Sequence, residues 1–210
     1  MRTATFQTFI LGLLLFSASV CVGQCKTETV TISSDPATVS LAALFAQADL
    51  VAFVKIHSGD AESYKLTLYE AVVLDGYKGA KEKDVIYFAP FIGYGVGNEY
   101  LVFLRRTNKR IGAEIDESVK PNRSPYDPAQ TYHYIMYDGY SVMPVSYECF
   151  FEGKDSEKCD YGVEFNTYQV ELPSTLKTFP NDVGEFSPDH KWVRRDAVKV
   201  TLANLKNNRK

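Results

Sequence analysis

The sequence Ala48-Asp49-Leu50-Val51-Ala52-Phe53-Val54-Lys55-Ile56 contains the change of hydrophobic period on which the predicted fold depends. Before Asp49, apolar residues recur at helical spacing, and Asp35 followed by Pro36 is typical of a helix start. After Asp49, β-branched and aromatic residues follow almost without a break, which is typical of a strand. We therefore predict a short helix over 39–48 and a β-sheet after it.

Three more strand-like segments follow at short intervals, over residues 64–73, 84–89 and 99–106. They are separated by Asp75-Gly76-Tyr77-Lys78-Gly79, which has turn chemistry, and by a glycine-punctuated loop over 90–98. Strands joined by short turns, with a single helix in front, favour an antiparallel barrel or sandwich over an α/β sheet built from crossover units.

These pieces, taken in order, resemble the netrin-type module, which is the OB-fold barrel of the tissue inhibitors of metalloproteinases and of many other secreted proteins. The resemblance rests on the helix that ends in Ala48-Asp49, on Tyr77-Lys78-Gly79 and on Gly97-Asn98-Glu99-Tyr100-Leu101-Val102-Phe103, within residues 39–106. It implies a mainly β fold with an OB-like five-stranded antiparallel barrel, in which residues 132–140 supply the fifth strand and its turn.

The chain is predicted to have three parts. Residues 1–23 are a signal peptide, residues 24–147 are the barrel with its leader and short N-terminal helix, and residues 148–210 are a Tyr-rich C-terminal extension with a disulfide hairpin. Residues 192–205 fit a strand and a helix equally well, because their apolar residues alternate and also share a helical face.

The first 23 residues have the features of a secretory signal peptide. Arg2 is the one charged residue before an apolar run over 9–16, and small residues follow at 17–19. The apolar run is too short to cross a bilayer as a helix, and cleavage after Gly23 leaves no transmembrane segment. We therefore expect a secreted protein that is extracellular, periplasmic or at the cell surface.

Cleavage at that position reduces the four cysteines, 21, 25, 149 and 159, to three. Cys149 and Cys159 flank a polar loop that contains glycine, so a disulfide between them closes a hairpin in an oxidising compartment. Cys25 is then unpaired. Its lipidation would give a lipid-anchored surface protein, which stays an alternative, although Gln24 precedes it where a small residue is usual.

The resemblance also implies a mechanism, because the tissue inhibitors use an N-terminal cysteine, in a Cys-x-Cys motif, to chelate the catalytic zinc of a protease. This chain has Thr27 where the second cysteine would stand, and cleavage after Gly23 leaves Gln24 in front of Cys25. A metalloproteinase-inhibitor-like protein that uses the region of Cys25 is therefore the alternative function rather than the first.

The chain has no motif for an enzyme, a cofactor or a nucleic-acid partner. It lacks CxxC, HExxH and Gly-x-Ser-x-Gly, its histidines have no metal-ligand spacing, and its glycines at 93, 95 and 97 precede a strand. Its 23 basic and 26 acidic residues give a net charge of -3, which argues against nucleic-acid binding. We therefore predict a non-enzymatic binding or structural module, without cofactor or metal, whose partner is an unidentified protein.

Tyrosines are concentrated in the second half of the chain and indicate where a partner would bind. Eight of the 14 tyrosines lie between residues 126 and 168, and tyrosine offers contact area at low entropic cost. The same rings would pack against the barrel ends equally well, so both interpretations stay open. The candidate contact residues are Cys25, Phe91, Tyr94, Tyr132, Tyr134, Tyr137 and Tyr140.

Overall fold

A computed structural model gives the fold as eleven strands and two helices among the residues that it describes. These residues are 38–63, 66–89, 93–107, 132–137, 140–151, 157–180 and 189–208. In chain order the elements are β1 (Val39–Ser40), α1 (Leu41–Gln47), β2 (Leu50–Ser63), β3 (Leu66–Lys78), β4 (Val85–Ala89), β5 (Glu99–Thr107), β6 (Tyr132–Ile135), β7 (Val142–Phe151), β8 (Glu157–Asn166), β9 (Val170–Glu171), β10 (Thr178–Pro180), β11 (His190–Arg194) and α2 (Arg195–Asn207).

Five strands close into a barrel in the order β2, β3, β4, β6, β5 and β2 again. All neighbours are antiparallel except β4 and β6, which run parallel with Phe88 opposite His133. The prediction of a mainly β, five-stranded barrel is confirmed, but the prediction that it is antiparallel throughout is wrong. Strands that alternate in direction cannot close a ring of five, because an odd number leaves one pair of neighbours pointing the same way.

The apolar run of β2 is nearly continuous because both of its faces are buried. Leu50, Ala52 and Val54 belong to the inner core, where they pack with apolar residues of the other barrel strands. Val51 and Phe53 belong to the outer core, which includes residues of α1 and α2. The strand therefore separates a core inside the barrel from a core between the barrel wall and the two helices.

Most of the strands that follow β6 continue the sheet of the barrel. β7 pairs with β5, which places Val145 opposite Glu99, and the sheet goes on through β8, β11 and β10. The predicted boundary between residues 147 and 148 lies inside β7. The division into a barrel and an extension stays a prediction.

Helix α1 is shorter than predicted and has a different cap. The Ser40 hydroxyl caps its first turn by accepting a hydrogen bond from the Ala43 amide at 3.1 Å. The helix predicted over 39–48 is wrong at its start, because Val39 and Ser40 are extended and pair with β9. The predicted cap, Asp35, lies outside the described residues.

The segment over 192–205, which fits a strand and a helix equally well, contains both. β11 extends as far as Arg194, and α2 begins at the next residue. Val198 and Leu202, four positions apart, are buried in the outer core, whereas Val200 is exposed. The apolar residues after β11 therefore follow helical spacing.

The turn predicted around Gly76 begins later than expected. β3 runs to Lys78 and contains a bulge, because Val51 pairs with Lys78 while Ala52 pairs with Gly76. A Cβ at Gly76 would lie 2.1 Å from the Ala80 carbonyl oxygen. The glycine therefore marks a close approach of two backbone segments at the bulge.

Candidate functional site

The seven predicted contact residues do not form one surface. Cys25 and Phe91 lie outside the described residues, as does the side chain of Tyr132. The side chains of the other four pack against three different clusters of buried residues.

Tyr94 packs onto the inner core together with the glycine-containing loop. Its ring centroid is 5.3 Å from that of Tyr69 and 5.2 Å from that of Tyr100. The Tyr69 hydroxyl accepts hydrogen bonds from the amides of Gly93 and Tyr94, and the Tyr100 hydroxyl accepts one from Gly95. Two largely buried phenols therefore fix this loop to the barrel.

The three described tyrosine side chains between residues 134 and 140 also pack against buried residues of the protein. Tyr134 packs on the small cluster that contains Leu68. Tyr137 stacks on Tyr140, with 4.8 Å between centroids, and donates its hydroxyl hydrogen to Gln47 Oε1 at 2.9 Å. Tyr140 is 1% exposed, so it is a core residue rather than the contact residue that the sequence predicts.

A hairpin arm extends past the neighbouring strands. It consists of residues 147–151 of β7 and 157–161 of β8, which pair with each other beyond the ladders that join β7 to β5 and β8 to β11. The predicted disulfide is confirmed, since Cys149 and Cys159 are directly opposite each other and are bonded. The arm is thus a two-stranded ribbon whose strands are covalently tied.

One face of the arm, here called the tyrosine face, exposes Tyr147 and Tyr161 side by side. The two residues are directly opposite each other and are 63% and 45% exposed. Their ring centroids lie 5.5 Å apart with planes at 77°, which is an edge-to-face arrangement. Because side chains alternate along a strand, the disulfide lies on this same face, two positions closer to the tip of the hairpin.

The opposite face of the arm is anchored to the sheet by a small aromatic cluster. Phe150 is buried with Phe179 and Trp192, and 4.8 Å separates the ring centroids of Phe150 and Phe179. The Arg194 guanidinium lies 5.2 Å from the Phe150 ring centroid. A Cβ at Gly162 would lie 2.8 Å from Phe150 Cζ, so this glycine provides the space for the ring. The cluster holds the arm and leaves its tyrosine face uncovered.

Four charged side chains near the tyrosine face neutralise one another. Arg195 donates a hydrogen bond to Glu99 Oε2 at 2.8 Å and lies 3.8 Å from Asp75 Oδ2. Lys199 Nζ lies 2.9 Å from the same Asp75 oxygen. The Arg195 guanidinium is also 5.8 Å from the Tyr161 ring centroid. Two cations and two carboxylates thus form an ion-paired group without net charge beside Tyr161.

Two titratable side chains outside the arm have shifted pKa values. Burial raises the pKa of Tyr77 to about 12, and the nearby carboxylate of Asp75 acts in the same direction. Burial also lowers the pKa of His133, whose Nδ1 is 3.4 Å from the Tyr87 carbonyl oxygen, and the charge of Arg106 lowers it further. Both shifts have burial as their largest cause, which is the effect that packing alone produces.

A cleft of about 550 Å³ lies between the two helices and the segment that follows β9. Its lining includes the apolar Leu172 and Leu205 and the polar Thr201. The Thr201 hydroxyl donates to the Ala197 carbonyl at 2.9 Å, and Glu171 is the single charged residue of the lining. Among the described residues that line it, the cleft therefore lacks the group of converging charged side chains that would indicate a binding site for a charged ligand.

The tyrosine face could have been predicted from the sequence, because the two tyrosines are spaced symmetrically about the two cysteines. Tyr147 precedes Cys149 by two positions, and Tyr161 follows Cys159 by two. Once the cysteines are opposite each other in an antiparallel hairpin, the tyrosines must be opposite each other as well, on the face of the disulfide. The prediction of contact residues instead follows the density of tyrosines over 132–140.

The described residues give no sign of a metal site or of a membrane-spanning helix. The described ranges contain no group of three or more His, Cys, Asp or Glu side chains that could hold a metal ion. Neither helix in the described part of the chain has the length and hydrophobicity needed to cross a bilayer.

Comparison with known proteins identifies no relative, since no protein family matches the chain and no curated protein or solved structure is detectably similar to it.

Proposed function

We propose that this protein is a secreted, non-enzymatic binding module that contacts a protein partner through the tyrosine face of its arm. The observation on which the proposal depends is an exposed pair of aromatic rings on a hairpin that a disulfide and a buried aromatic cluster both hold in place. Rings on a rigid support lose little conformational entropy on binding. Tyrosine is also enriched in the centres of protein interfaces, where charged residues are depleted.

Secretion is supported by two independent features of the chain. Residues 1–23 have the charge, hydrophobic run and small residues of a signal peptide. The disulfide between Cys149 and Cys159 is of a kind that persists in oxidising compartments. The proposed location is extracellular, periplasmic or at the cell surface.

An OB-like barrel of the netrin type would serve this function as a rigid support. The closure of five strands with a single parallel pair supports an OB-like fold, which is a five-stranded Greek-key barrel. Folds of this kind host many functions, and their specificity lies in the surface elements that the barrel carries. In this proposal the arm is that element.

A photocrosslinking experiment on the mature protein tests the proposal. A photoreactive phenylalanine analogue replaces Tyr147, which is 63% exposed on the tyrosine face, and the protein is illuminated in the native extracellular fraction. We expect one discrete adduct, which is lost when Tyr161→Ser is added to give a double variant. Tyr168→Ser is the matched control, because Tyr168 lies outside the arm and is 61% exposed, and it should retain the adduct.

The outcome is decided by the adduct and by the fold of the variants. The edge-to-face pair contributes about 1 kcal/mol to the free energy of unfolding. The unfolding temperature of the double variant should therefore lie within about 2–4 °C of that of the parent. An adduct that persists in the folded double variant, or the absence of an adduct from all variants, would contradict the proposal.

A further inference from the structure

The close tyrosine pairs of the described residues differ in their exposure. Four pairs have ring centroids at most 5.5 Å apart, and they are Tyr69–Tyr94, Tyr94–Tyr100, Tyr137–Tyr140 and Tyr147–Tyr161. Each of the first three pairs contains a buried ring, namely Tyr69, Tyr100 or Tyr140. Within the described part of the chain, the pair on the arm is thus the one in which solvent reaches both phenols.

We propose that Tyr147 and Tyr161 form a site of oxidative modification, at which a haem peroxidase with hydrogen peroxide joins the two phenols of one chain as dityrosine. The proposal goes beyond partner binding. It requires two accessible phenols that are held near each other, and this is what the tyrosine face provides.

The reaction balances with hydrogen peroxide as the oxidant. Each phenol loses one electron and one proton, which gives two tyrosyl radicals. The radicals combine through a carbon–carbon bond between the ring carbons ortho to the two oxygens, and the hydrogen on each of these carbons then moves to oxygen, which restores both phenols. The two electrons and two protons that were removed reduce one hydrogen peroxide to two waters.

The backbone of the arm keeps the two rings in position for this coupling. Tyr147 and Tyr161 are opposite each other in a ladder that the bond between Cys149 and Cys159 ties two positions away. Exposed side chains reorient on the picosecond to nanosecond timescale, so the edge-to-face pair at 5.5 Å can bring its ortho carbons together. A ring on the same chain is always present at this distance, whereas a ring on another chain must arrive by diffusion. Coupling within the arm is therefore favoured in dilute protein.

Buried pairs provide an internal comparison. Tyr94 and Tyr100 lie even closer, at 5.2 Å, but Tyr100 is buried and its hydroxyl accepts the amide hydrogen of Gly95. A peroxidase oxidises phenols that it can reach, so this pair should remain uncoupled. Tyr168 is as exposed as Tyr147 and is absent from the four close pairs.

The test treats the mature protein at low micromolar concentration with a haem peroxidase and limiting hydrogen peroxide. The disulfide is then reduced and alkylated, and the digest is analysed by mass spectrometry. We expect a linked pair of peptides, containing residues 147 and 161, whose mass is lower than the sum of the two peptides by two hydrogen atoms. Its yield should fall at least about tenfold in Tyr147→Phe and in Tyr161→Phe, because phenylalanine forms no phenoxyl radical and, among the described residues, none of the other three close tyrosine pairs includes Tyr147 or Tyr161.

Tyr168→Phe is the control and should leave the yield unchanged. All three phenylalanine variants keep the ring and remove only an exposed hydroxyl, so they should fold like the parent. An undiminished yield in Tyr147→Phe would overturn the proposal. So would a product that links residues 94 and 100 in preference, or cross-links found only between chains. The outcome does not depend on a binding partner, so it is separate from the test of the proposed function.

Discussion

The ammonium group of Lys78 lies at the C-terminal end of α1, where Nζ donates a hydrogen bond to the Ala46 carbonyl oxygen at 3.1 Å. The carbonyl oxygens of Phe45 and Ala48 accept from the same group. The last carbonyls of a helix have no partner within the helix, and they form the negative end of its dipole. Lys78 is on β3, so the contact ties α1 to the barrel wall.

Replacement of Lys78 by methionine should therefore destabilise the protein. We expect the free energy of unfolding to fall by about 1–2 kcal/mol, because a part-buried, charge-assisted hydrogen bond is lost while the aliphatic stem is kept. Lys81→Met is the control, since Lys81 is exposed and lies outside the helix contact. Urea unfolding of both variants checks the prediction, and equal losses would contradict it.

Gly79, one residue further along, allows a sharper comparison of two glycines. It has a φ of 70°, and a Cβ there would lie 2.1 Å from the Asp49 carbonyl oxygen. Gly97 has a φ of 89°, but a Cβ there would meet no atom within 4 Å. Both alanine variants bear the cost of a left-handed residue, about 1–2 kcal/mol, and Gly79→Ala adds a backbone clash.

We expect Gly79→Ala to lower the free energy of unfolding by at least about 2 kcal/mol more than Gly97→Ala does. Urea denaturation measures the difference. Similar losses in the two variants would show that backbone conformation, and not the approach of Asp49, explains the glycine at position 79.

Acid is expected to destabilise the barrel through His133. Burial holds the pKa of this residue below its ordinary value of 6.5, so the unfolded chain binds the proton more readily than the folded protein. The contribution to stability is therefore complete above pH 6.5 and is lost as the pH falls toward the folded pKa. His133→Gln should flatten this acid dependence of the unfolding temperature.

The matched variant His57→Gln changes an exposed histidine and should keep the acid dependence of the parent. The measurement compares unfolding temperatures above and below pH 6.5 in the three proteins. If the slope survives in His133→Gln, other groups cause it and the prediction is wrong.

Alkali should also destabilise the protein, in this case through Tyr77. Its pKa is raised from 10.0 to about 12, mainly by burial, so the folded protein holds this proton more tightly than the unfolded chain. The contribution of this phenol to the free energy of unfolding is complete below pH 10 and is lost as the pH rises toward 12. Tyr77→Phe keeps the edge-to-face contact with Phe53, at 6.1 Å, and removes the proton.

The variant should therefore lose less stability than the parent over this alkaline range. Unfolding by urea at a series of pH values measures the loss. Parallel curves for the parent and Tyr77→Phe would contradict the prediction, because the raised pKa would then have no counterpart in stability.

Local patterns predict the barrel strands of this fold well, because an apolar run bounded by turn residues favours a strand. The period changes at Asp49, where the structure ends α1 and starts β2, and the Asp49 carboxylate accepts the Arg106 amide at 2.9 Å. The parallel pairing of β4 with β6 has no such local signal. It depends on the closure of a ring by strands about 45 positions apart, and barrel topology rather than composition sets its direction.

The candidate site was predictable in part for the same reason. The pairing of Cys149 with Cys159 follows from a short polar loop and from the oxidising compartment that the predicted signal peptide implies, and the placement of Tyr147 opposite Tyr161 follows from that pairing. The burial of Tyr140 does not follow from the local sequence, since it depends on the outer core that α1 and distant strands form together. Tyrosine density alone cannot distinguish a ring in such a core from a ring on an arm.

The disulfide itself should stabilise the arm more than the barrel. Its cysteines are ten positions apart, and a loop of this size corresponds to about 2–3 kcal/mol in the chain-entropy account. In a Cys149→Ser, Cys159→Ser double variant, the buried Phe150 cluster still holds one face of the arm, while the ladder toward the tip loses its covalent tie.

Hydrogen exchange resolves where the loss falls. In the double variant, the amides of residues 147–151 should exchange faster by about 10-fold or more, whereas those of residues 50–54 of β2, which are buried on both faces of the strand, should keep their protection. Faster exchange of β2 to the same degree would mean that the disulfide stabilises the whole fold. Unchanged exchange in the arm would mean that the aromatic cluster alone fixes it, and the tyrosine pair would then be positioned by Phe150 rather than by the covalent bond.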